Sequence, residues 1–240
     1  MNHYRENEAE KEGKIRNMFS SIAHRYDFLN RVLSLGIDKY WRRVAIREFS
    51  GLKDGIVLDV ATGTGDVALE IVRSCHGVRR VLGVDFSENM LRLAKKKIEK
   101  YGYKEKIGLF LNNAQTLSFQ DNEFDAALIA FGIRNVSDRQ KGLSEMTRVL
   151  KKGGKMVILE FSRPDNRILR WSYYFYFLKI LPLVGGFFSK MKSAYLYLPE
   201  SVLNFPEKDD FVSLMKKAGL KDVRYDILTF GVVAVYVGIK

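Results

Sequence analysis

The chain has 240 residues, of which 47% are hydrophobic, and this is enough for one large domain with a full core. A single cysteine, Cys75, excludes an intramolecular disulfide, and no spaced Cys and His residues indicate a metal site. The 40 Lys and Arg residues exceed the 28 Asp and Glu residues by 12, a charge that suits nucleic acid or an anionic membrane surface as partner.

The N-terminal part is predicted to be a helical cover, residues 1–50. Residues 1–19 are too charged for a secretory signal, so we expect a cytoplasmic protein. Residues 5–49 are typical of two or three helices and end in the basic amphipathic segment DKYWRRVAIREF. We expect these helices to fold over a ligand site.

Apolar, β-branched runs then alternate with helical patterns. Near-continuous apolar strands separated by helices predict a parallel sheet covered on both faces, here a doubly wound cofactor-binding core over residues 51–162. In the second helix Met90, Ala94 and Ile98 are spaced for a buried stripe beneath a solvated basic face. The sequence predicts strands at 55–61, 80–85, 107–112, 124–131 and 155–161, and helices at 66–74, 87–100 and 138–150.

A hydrophobic insert, residues 163–206, follows the fifth strand. Its aromatic run, residues 170–191, contains Lys179, Pro182 and a Gly-Gly pair, which argue against a transmembrane span. Three interpretations stay open: a cover over the active site, a peripheral contact with an anionic membrane, or a homodimer contact.

Residues 207–240 predict a helix and a hairpin that turns at Gly231. An antiparallel C-terminal strand in a mostly parallel sheet is typical of a Rossmann-like variant. We therefore expect one α/β domain over residues 1–240, with a doubly wound, seven-stranded sheet.

The sequence Gly63-Thr64-Gly65 stands where the first strand ends and a helix begins, which is the edge where open α/β sheets bind ligands. Glycine there permits positive φ and close approach of a ligand to the backbone. Asp85 ends the second strand, where a carboxylate can accept both hydroxyls of an adenosine ribose. The spacing predicts a nucleoside site.

The same spacing also satisfies the NAD fingerprint, so a dehydrogenase is one alternative. Asp59 before the loop and Asp66 after it favour a ligand with an amino group and a sulfonium over a diphosphate. Capping of its own helix is an equal alternative for Asp66. Asn113 and Ala114 follow the third strand, where they could read an adenine edge or simply form a turn.

Four blocks, in order, carry a family resemblance. VLDVATGTGD, GVDFSENML, FDAALIAFGIRNVSD and EMTRVLKKGGKMVILEFSRP resemble the class I S-adenosylmethionine-dependent methyltransferases. FGIRNVSD, LEFSRP, MFSSIAHRYDFLNRVLSLGIDKYWRR and YLYLPESVLNFP are similar to the ubiquinone/menaquinone biosynthesis C-methyltransferases, which include demethylmenaquinone methyltransferase. The resemblance extends from about residue 15 to the end of the chain.

This resemblance implies S-adenosylmethionine as the cofactor and C-methylation of a prenylated quinol, demethylmenaquinol to menaquinol, as the reaction. Ala130 departs from the pattern, because some relatives have a serine contact there. The implied cofactor-binding residues are Asp59, Gly63, Thr64, Gly65, Asp85, Phe86, Asn113 and Ala114.

Methylation at a quinol carbon needs a route for the ring hydroxyl proton and a cation that favours the phenolate. Arg134 and Asn135 follow the fourth strand, and we expect Arg134 to stabilise the oxyanion; pairing with a carboxylate such as Asp138 is the structural alternative. Tyr26 in the helical cover is expected to orient the ring hydroxyl or a water, with core packing as its alternative.

Nucleic acid is not the expected substrate despite the positive charge. The place after the fourth strand holds FGIRN, without the prolines found there in methylases of exocyclic amines, and no RNA-binding motif is present. Methylation of RNA or of another small molecule, NAD-dependent oxidation and a non-catalytic binding module are the alternatives.

Overall fold

The computed structural model describes residues 8–176 and 192–240, so residues 177–191 of the aromatic run lie outside the described residues. In the described part of the N-terminal cover, residues 8–50, the chain forms two helices, within the predicted two or three. The helices are α1 (Glu8–Leu33), α2 (Asp38–Arg47), α3 (Asp66–Ser74), α4 (Glu88–Lys100), α5 (Arg139–Val149), α6 (Arg167–Phe175), α7 (Lys192–Leu203) and α8 (Lys208–Lys217). The strands are β1 (Gly55–Val60), β2 (Val78–Asp85), β3 (Ile107–Leu111), β4 (Phe124–Ala130), β5 (Leu150–Phe161), β6 (Lys221–Leu228) and β7 (Val233–Ile239).

The seven strands form one sheet in the order β3-β2-β1-β4-β5-β7-β6. Strands β1 to β5 pair in parallel, and β7 pairs antiparallel with both β5 and β6. The predicted Rossmann-like sheet with an antiparallel C-terminal strand is therefore confirmed. The chain reverses its winding between β1 and β4, and ligands bind at the carboxyl ends of the strands beside such a switch point.

Alternate residues of each central strand serve two separate cores. Val57 points into a core with α2, α3 and α4, whereas Leu58 points into a core with α5 and α8. This arrangement explains the near-continuous apolar strands, because both faces of the sheet are covered. Met90, Ala94 and Ile98 form the predicted buried stripe of α4.

A third, smaller cluster joins the cover elements to each other above the strand ends. Ile22 and Leu29 of α1 pack with Tyr173 of α6 and Val202 of α7. These side chains come from distant parts of the sequence, so this cluster holds the cover together across the carboxyl edge of the sheet. Within the described residues, no helix has the length and apolarity needed to cross a membrane.

Strand β5 is longer than predicted, because it begins at Leu150 rather than at residue 155. The segment KKGGK belongs to the strand, and the pairing of β4 with β5 shifts register there, between Phe124 and Ala126. A Gly-Gly pair is usually a turn signal, so the sequence predicts a loop at residues 151–154, where the structure continues the strand.

Candidate active site

Two cavities meet at the carboxyl edge of the sheet. A crevice of about 80 Å³, here the polar crevice, lies over the ends of β1, β2 and β4 and is lined by Gly63, Asp85 and Asn113. An apolar cavity of about 390 Å³ lies beside it, beneath α1, α2 and α6. Phe19, Tyr26 and Phe131 line both spaces and form a shared wall.

The glycine turn has the conformation that its sequence predicts. Gly63 and Gly65 have φ of 57° and 81°, in the left-handed region that favours glycine. Gly65 also packs closely against α4, because a Cβ added there would lie 3.2 Å from the Cβ of Ala94. The turn therefore brings the start of α3 against α4 and leaves Gly63 at the crevice.

Asp85 lies at the centre of the polar crevice and is 5% exposed. Its two carboxylate oxygens accept hydrogen bonds from the backbone N–H of Gly63 at 2.9 Å and of Ser87 at 2.8 Å. Burial raises the pKa of Asp85 to about 6, although these hydrogen bonds favour its charged form. Each oxygen keeps a further lone pair for a ligand hydroxyl.

Three of the predicted cofactor residues, Asp59, Thr64 and Gly65, do not line the crevice. Asp59 accepts a hydrogen bond from the Thr62 hydroxyl at 2.6 Å, and burial raises its pKa to about 7. The Thr64 hydroxyl donates to Asp27 of α1 at 2.5 Å. These contacts fix the shape of the turn and attach it to the helical cover.

Asp66 lies in the first turn of α3, where its negative charge is favourable to the helix, but it does not occupy the N-cap position itself. Gly65 occupies the N-cap position of α3, and the Asp66 carboxylate pairs with Arg42 at 2.9 Å and Lys97 at 2.6 Å. Burial alone would raise the pKa of Asp66, but the two cations lower it overall. Lys97, predicted on the solvated face of α4, also contacts Asp27 at 2.6 Å and so connects α1, α3 and α4.

The far end of the polar crevice contains Asn113 and Ala114, as predicted, together with Phe86 after β2. The Asn113 side-chain amide donates to Glu12 of α1 at 3.1 Å, and the Gln115 amide donates to the same carboxylate. Amide donors that converge on a carboxylate could equally meet the acceptor nitrogens of an adenine ring.

Arg134 lies in a short helical turn after β4 and reaches the apolar cavity. Its partner is Glu160 of β5, at 2.8 Å, and both side chains are buried. The structural alternative of pairing with a carboxylate is therefore met, but by Glu160 and not by Asp138, which caps α5 by accepting from the Lys141 N–H at 3.0 Å. Burial lowers the pKa of Arg134, but Glu160 together with the nearby Tyr26 and Tyr197 hydroxyls raises it overall.

Asn135, the next residue, lines the polar crevice, so the two consecutive side chains lie on opposite sides of the shared wall. The Tyr197 hydroxyl of α7 donates to the Asn135 side-chain oxygen at 2.8 Å. Tyr26 stands in the wall itself, and burial raises the pKa of its hydroxyl. The three predicted catalytic residues are thus brought together at the boundary between the cavities.

These residues fit S-adenosylmethionine. An acidic strand end suits a ribose, the left-handed glycine turn lets a ligand approach the backbone closely, and the buried carboxylates of Asp85 and Asp59 suit a cationic ligand. When bound, this cofactor supplies a methyl group activated by the sulfonium. The crevice would hold it through Gly63, Asp85, Phe86, Asn113 and Ala114.

Solved methyltransferase structures share the fold. A SAM-dependent methyltransferase from Aquifex aeolicus superposes with a TM-score of 0.61 at 22% identity, over 83% of this chain and 89% of that one. Phosphoethanolamine N-methyltransferase 2 of Haemonchus contortus, in complex with S-adenosyl-L-methionine, gives 0.60 at 18% identity, over 83% and 52%. The architecture is thus that of the S-adenosylmethionine-dependent methyltransferases.

The sequence comparison is more specific. The model of the ubiE/COQ5 methyltransferase family matches residues 7–240, and the chain belongs to this family. It is 53% identical to a ubiquinone/menaquinone biosynthesis C-methyltransferase UbiE from Geobacter sp. (strain M21), over 97% of this chain and 98% of the relative. It is 41% identical to a demethylmenaquinone methyltransferase of Bacteroides fragilis, over 98% and 95%. The chain is an S-adenosylmethionine-dependent methyltransferase.

Sequence reasoning missed several residues of the site. Glu160 lies in an otherwise apolar strand, where the sequence gives no sign of its role. Its only signal is that β5 neighbours β4 in a doubly wound sheet, which brings Glu160 near the FGIRN segment that contains Arg134. Glu12, Gln115 and Tyr197 carry no local signal, because each meets its partner through packing of distant elements.

Proposed function

We propose that the protein transfers the methyl group of S-adenosylmethionine to a ring carbon of a prenylated quinol, converting demethylmenaquinol to menaquinol. The relatives at 53% and 41% identity carry names of this chemistry. The observation that carries the proposal is the shared wall of Phe19, Tyr26 and Phe131. It places a polar nucleoside site directly beside an apolar cavity, which is the arrangement that transfer to an apolar ring requires.

Arg134 has the role of stabilising the phenolate in this proposal. Its guanidinium donates through one nitrogen to Glu160 and to the Phe131 carbonyl, at 2.8 and 2.5 Å. Its Nε is buried and has no hydrogen-bond partner among the described residues. Because Arg134 lines the cavity, its guanidinium charge can stabilise a ring oxygen as negative charge develops on it.

Tyr26 and Asn135 have the role of orienting the ring. Both lie at the wall, where the acceptor carbon must approach the methyl group, and the Tyr197 hydroxyl holds the Asn135 side chain. The raised pKa of Tyr26 keeps its hydroxyl protonated, so it can donate to a ring oxygen or to a water that carries the proton away.

The partners follow from the substrate. A polyprenyl tail resides in a bilayer, so the protein is cytoplasmic with a peripheral contact to anionic membrane, for which a net charge of +12 is suited. Nucleic acid is not a substrate. A homodimer through the hydrophobic insert is compatible with this arrangement.

Purified protein, radiolabelled S-adenosylmethionine and demethylmenaquinol test the proposal directly. Label in the organic-extractable quinol is the expected result, and label in added RNA with none in the quinol would overturn it. Calorimetric titration separates the dehydrogenase alternative, because binding of NADH without binding of S-adenosylmethionine would contradict the methyltransferase site.

A further inference from the structure

Large apolar side chains are exposed where the apolar cavity reaches the surface. Leu35, between α1 and α2, is 85% exposed, and Phe230, between β6 and β7, is 80% exposed; both line the cavity. Trp171 of α6 is 69% exposed and stacks on Phe175 at 5.7 Å. Leu35 and Phe230, here the apolar rim, are exposed at the cavity, whereas Trp171 and Phe175 lie on α6, whose Leu169 and Tyr173 also line it. Large exposed apolar side chains of this kind mark an interaction site.

Both turns of the rim hold their apolar side chains in an unfavourable backbone conformation. Leu35 and Phe230 have φ of 51° and 57°, in the left-handed region that glycine and asparagine adopt readily and bulky residues rarely do. Hydrogen bonds fix each turn: Gly36 N–H donates to the Arg31 carbonyl at 2.8 Å, and the Trp41 indole donates to Thr229 at 2.7 Å. Strain that the surrounding structure enforces is characteristic of functional positions.

The segments beside the rim are basic. Residues 28–47 and 163–176 together contain eight Lys and Arg residues against two Asp residues, a net charge of +6. Lys39 and Arg43, one turn apart on α2, and Arg167 at the start of α6 are all exposed. Exposed apolar side chains next to exposed cations are the composition of surfaces that bind anionic lipid.

We infer that the apolar rim docks on the surface of an anionic lipid bilayer. Leu35 and Phe230 insert between the lipids, and Lys39, Arg43 and Arg167 contact the headgroups. The inference rests on the proposed function, because docking in this orientation turns the cavity toward the membrane that contains the prenylated quinol. The tail can then leave the bilayer directly into an apolar space.

The chain provides its own optical probe. Trp171 is exposed, whereas Trp41, the other tryptophan, is buried. Titration with phosphatidylcholine vesicles containing phosphatidylglycerol should shift tryptophan emission to the blue, and brominated lipids should quench it. Trp171→Phe should remove the signal, and vesicles without phosphatidylglycerol should bind much more weakly.

The decisive variant is Leu35→Asn/Phe230→Asn. Asparagine tolerates positive φ, so the melting temperature should stay the same or rise, while vesicle binding measured by co-sedimentation should weaken about tenfold or more. Leu111→Asn is the matched control, since Leu111 is 62% exposed on β3 at the opposite edge of the sheet. It should bind vesicles like the wild type. Unchanged binding by the double variant would overturn the inference.

Turnover assays keep this inference separate from the proposed function. Relative to the wild type, the double variant should lose at least about tenfold more rate on vesicle-embedded quinol than on a tail-less, water-soluble demethylnaphthoquinol. If the wild type methylates neither quinol, the proposed function fails, and the vesicle titration still decides the docking surface. Equal rates of the two proteins on vesicle-embedded quinol would overturn the docking surface alone.

Discussion

The polar crevice and the apolar cavity share three side chains, yet they are built from different parts of the chain. The crevice consists of strand ends and the turns that follow them, with backbone N–H groups of Gly63 and Ser87 around Asp85. The cavity is enclosed by α1, α2 and α6 and by the turn between β6 and β7. Most residues of the donor half thus follow strands that the sequence pattern marks, with α1 adding Glu12, whereas the acceptor half is assembled by packing of helices.

The two spaces also differ in charge. Buried carboxylates, Asp85 and Asp59, lie at and beneath the crevice, and the guanidinium of Arg134 reaches the cavity. A cationic methyl donor is therefore favoured on one side of the wall and a developing phenolate on the other. The predictions that follow alter one side at a time, from the largest expected effect to the smallest.

Removal of the cation should affect only the acceptor side. We expect Arg134→Gln to lower kcat by about 10²- to 10³-fold, because an oxyanion-stabilising donor is lost. The dissociation constant for S-adenosylmethionine should be unchanged in calorimetry, since Arg134 does not line the crevice.

This variant leaves Glu160 buried without its cation, which is destabilising in itself. Arg134→Gln/Glu160→Gln is the matched control, because it removes both charges and should restore the melting temperature without restoring kcat. If the double variant regains activity, Arg134 has only a structural role.

Change of the crevice carboxylate should affect the donor side. We expect Asp85→Asn to weaken S-adenosylmethionine binding by about 1.5–3 kcal/mol, through loss of a charged hydrogen-bond acceptor. Because the pKa of Asp85 is raised to about 6 and the ligand favours the ionised form, wild-type affinity should increase as the pH rises through 6. Calorimetry should show proton release there, and the variant should show a flatter pH dependence; an equal pH dependence would contradict the assignment.

The same division explains how far the sequence could lead. The glycine turn and Asp85 could be placed because each follows an apolar strand, and Met90, Ala94 and Ile98 because helical spacing is a local property. The partner of Arg134 could not be found from spacing, since Glu160 is 26 residues away and pairs through the register of β4 with β5. Lys97 resembled any other lysine of a solvated helix face until tertiary packing placed it between Asp27 and Asp66.

Asp59 provides a test of stability rather than of catalysis. Burial raises its folded-state pKa to about 7, above its value in the unfolded chain, so its favourable contribution is present at low pH and is lost as the pH rises toward 7. The free energy of unfolding of Asp59→Asn minus that of the wild type should therefore increase from about pH 5 to about pH 8, by on the order of 2 kcal/mol. Urea unfolding of the cofactor-free proteins at both pH values measures this difference, and a pH-independent difference would contradict the raised pKa.

The smallest expected effect concerns the contact that crosses the wall. Tyr197→Phe removes the hydrogen bond from α7 to Asn135, a loss of about 1 kcal/mol that should lower kcat/KM for the quinol about fivefold. Tyr225→Phe is the matched control, because the exposed hydroxyl of Tyr225 on β6 donates to Asp209 of α8 at 3.2 Å and lines neither cavity. Activity of this variant should not change. Since Asn135 faces the crevice while Tyr197 faces the cavity, a loss that appears in cofactor affinity instead of quinol turnover would show that Asn135 serves the donor side.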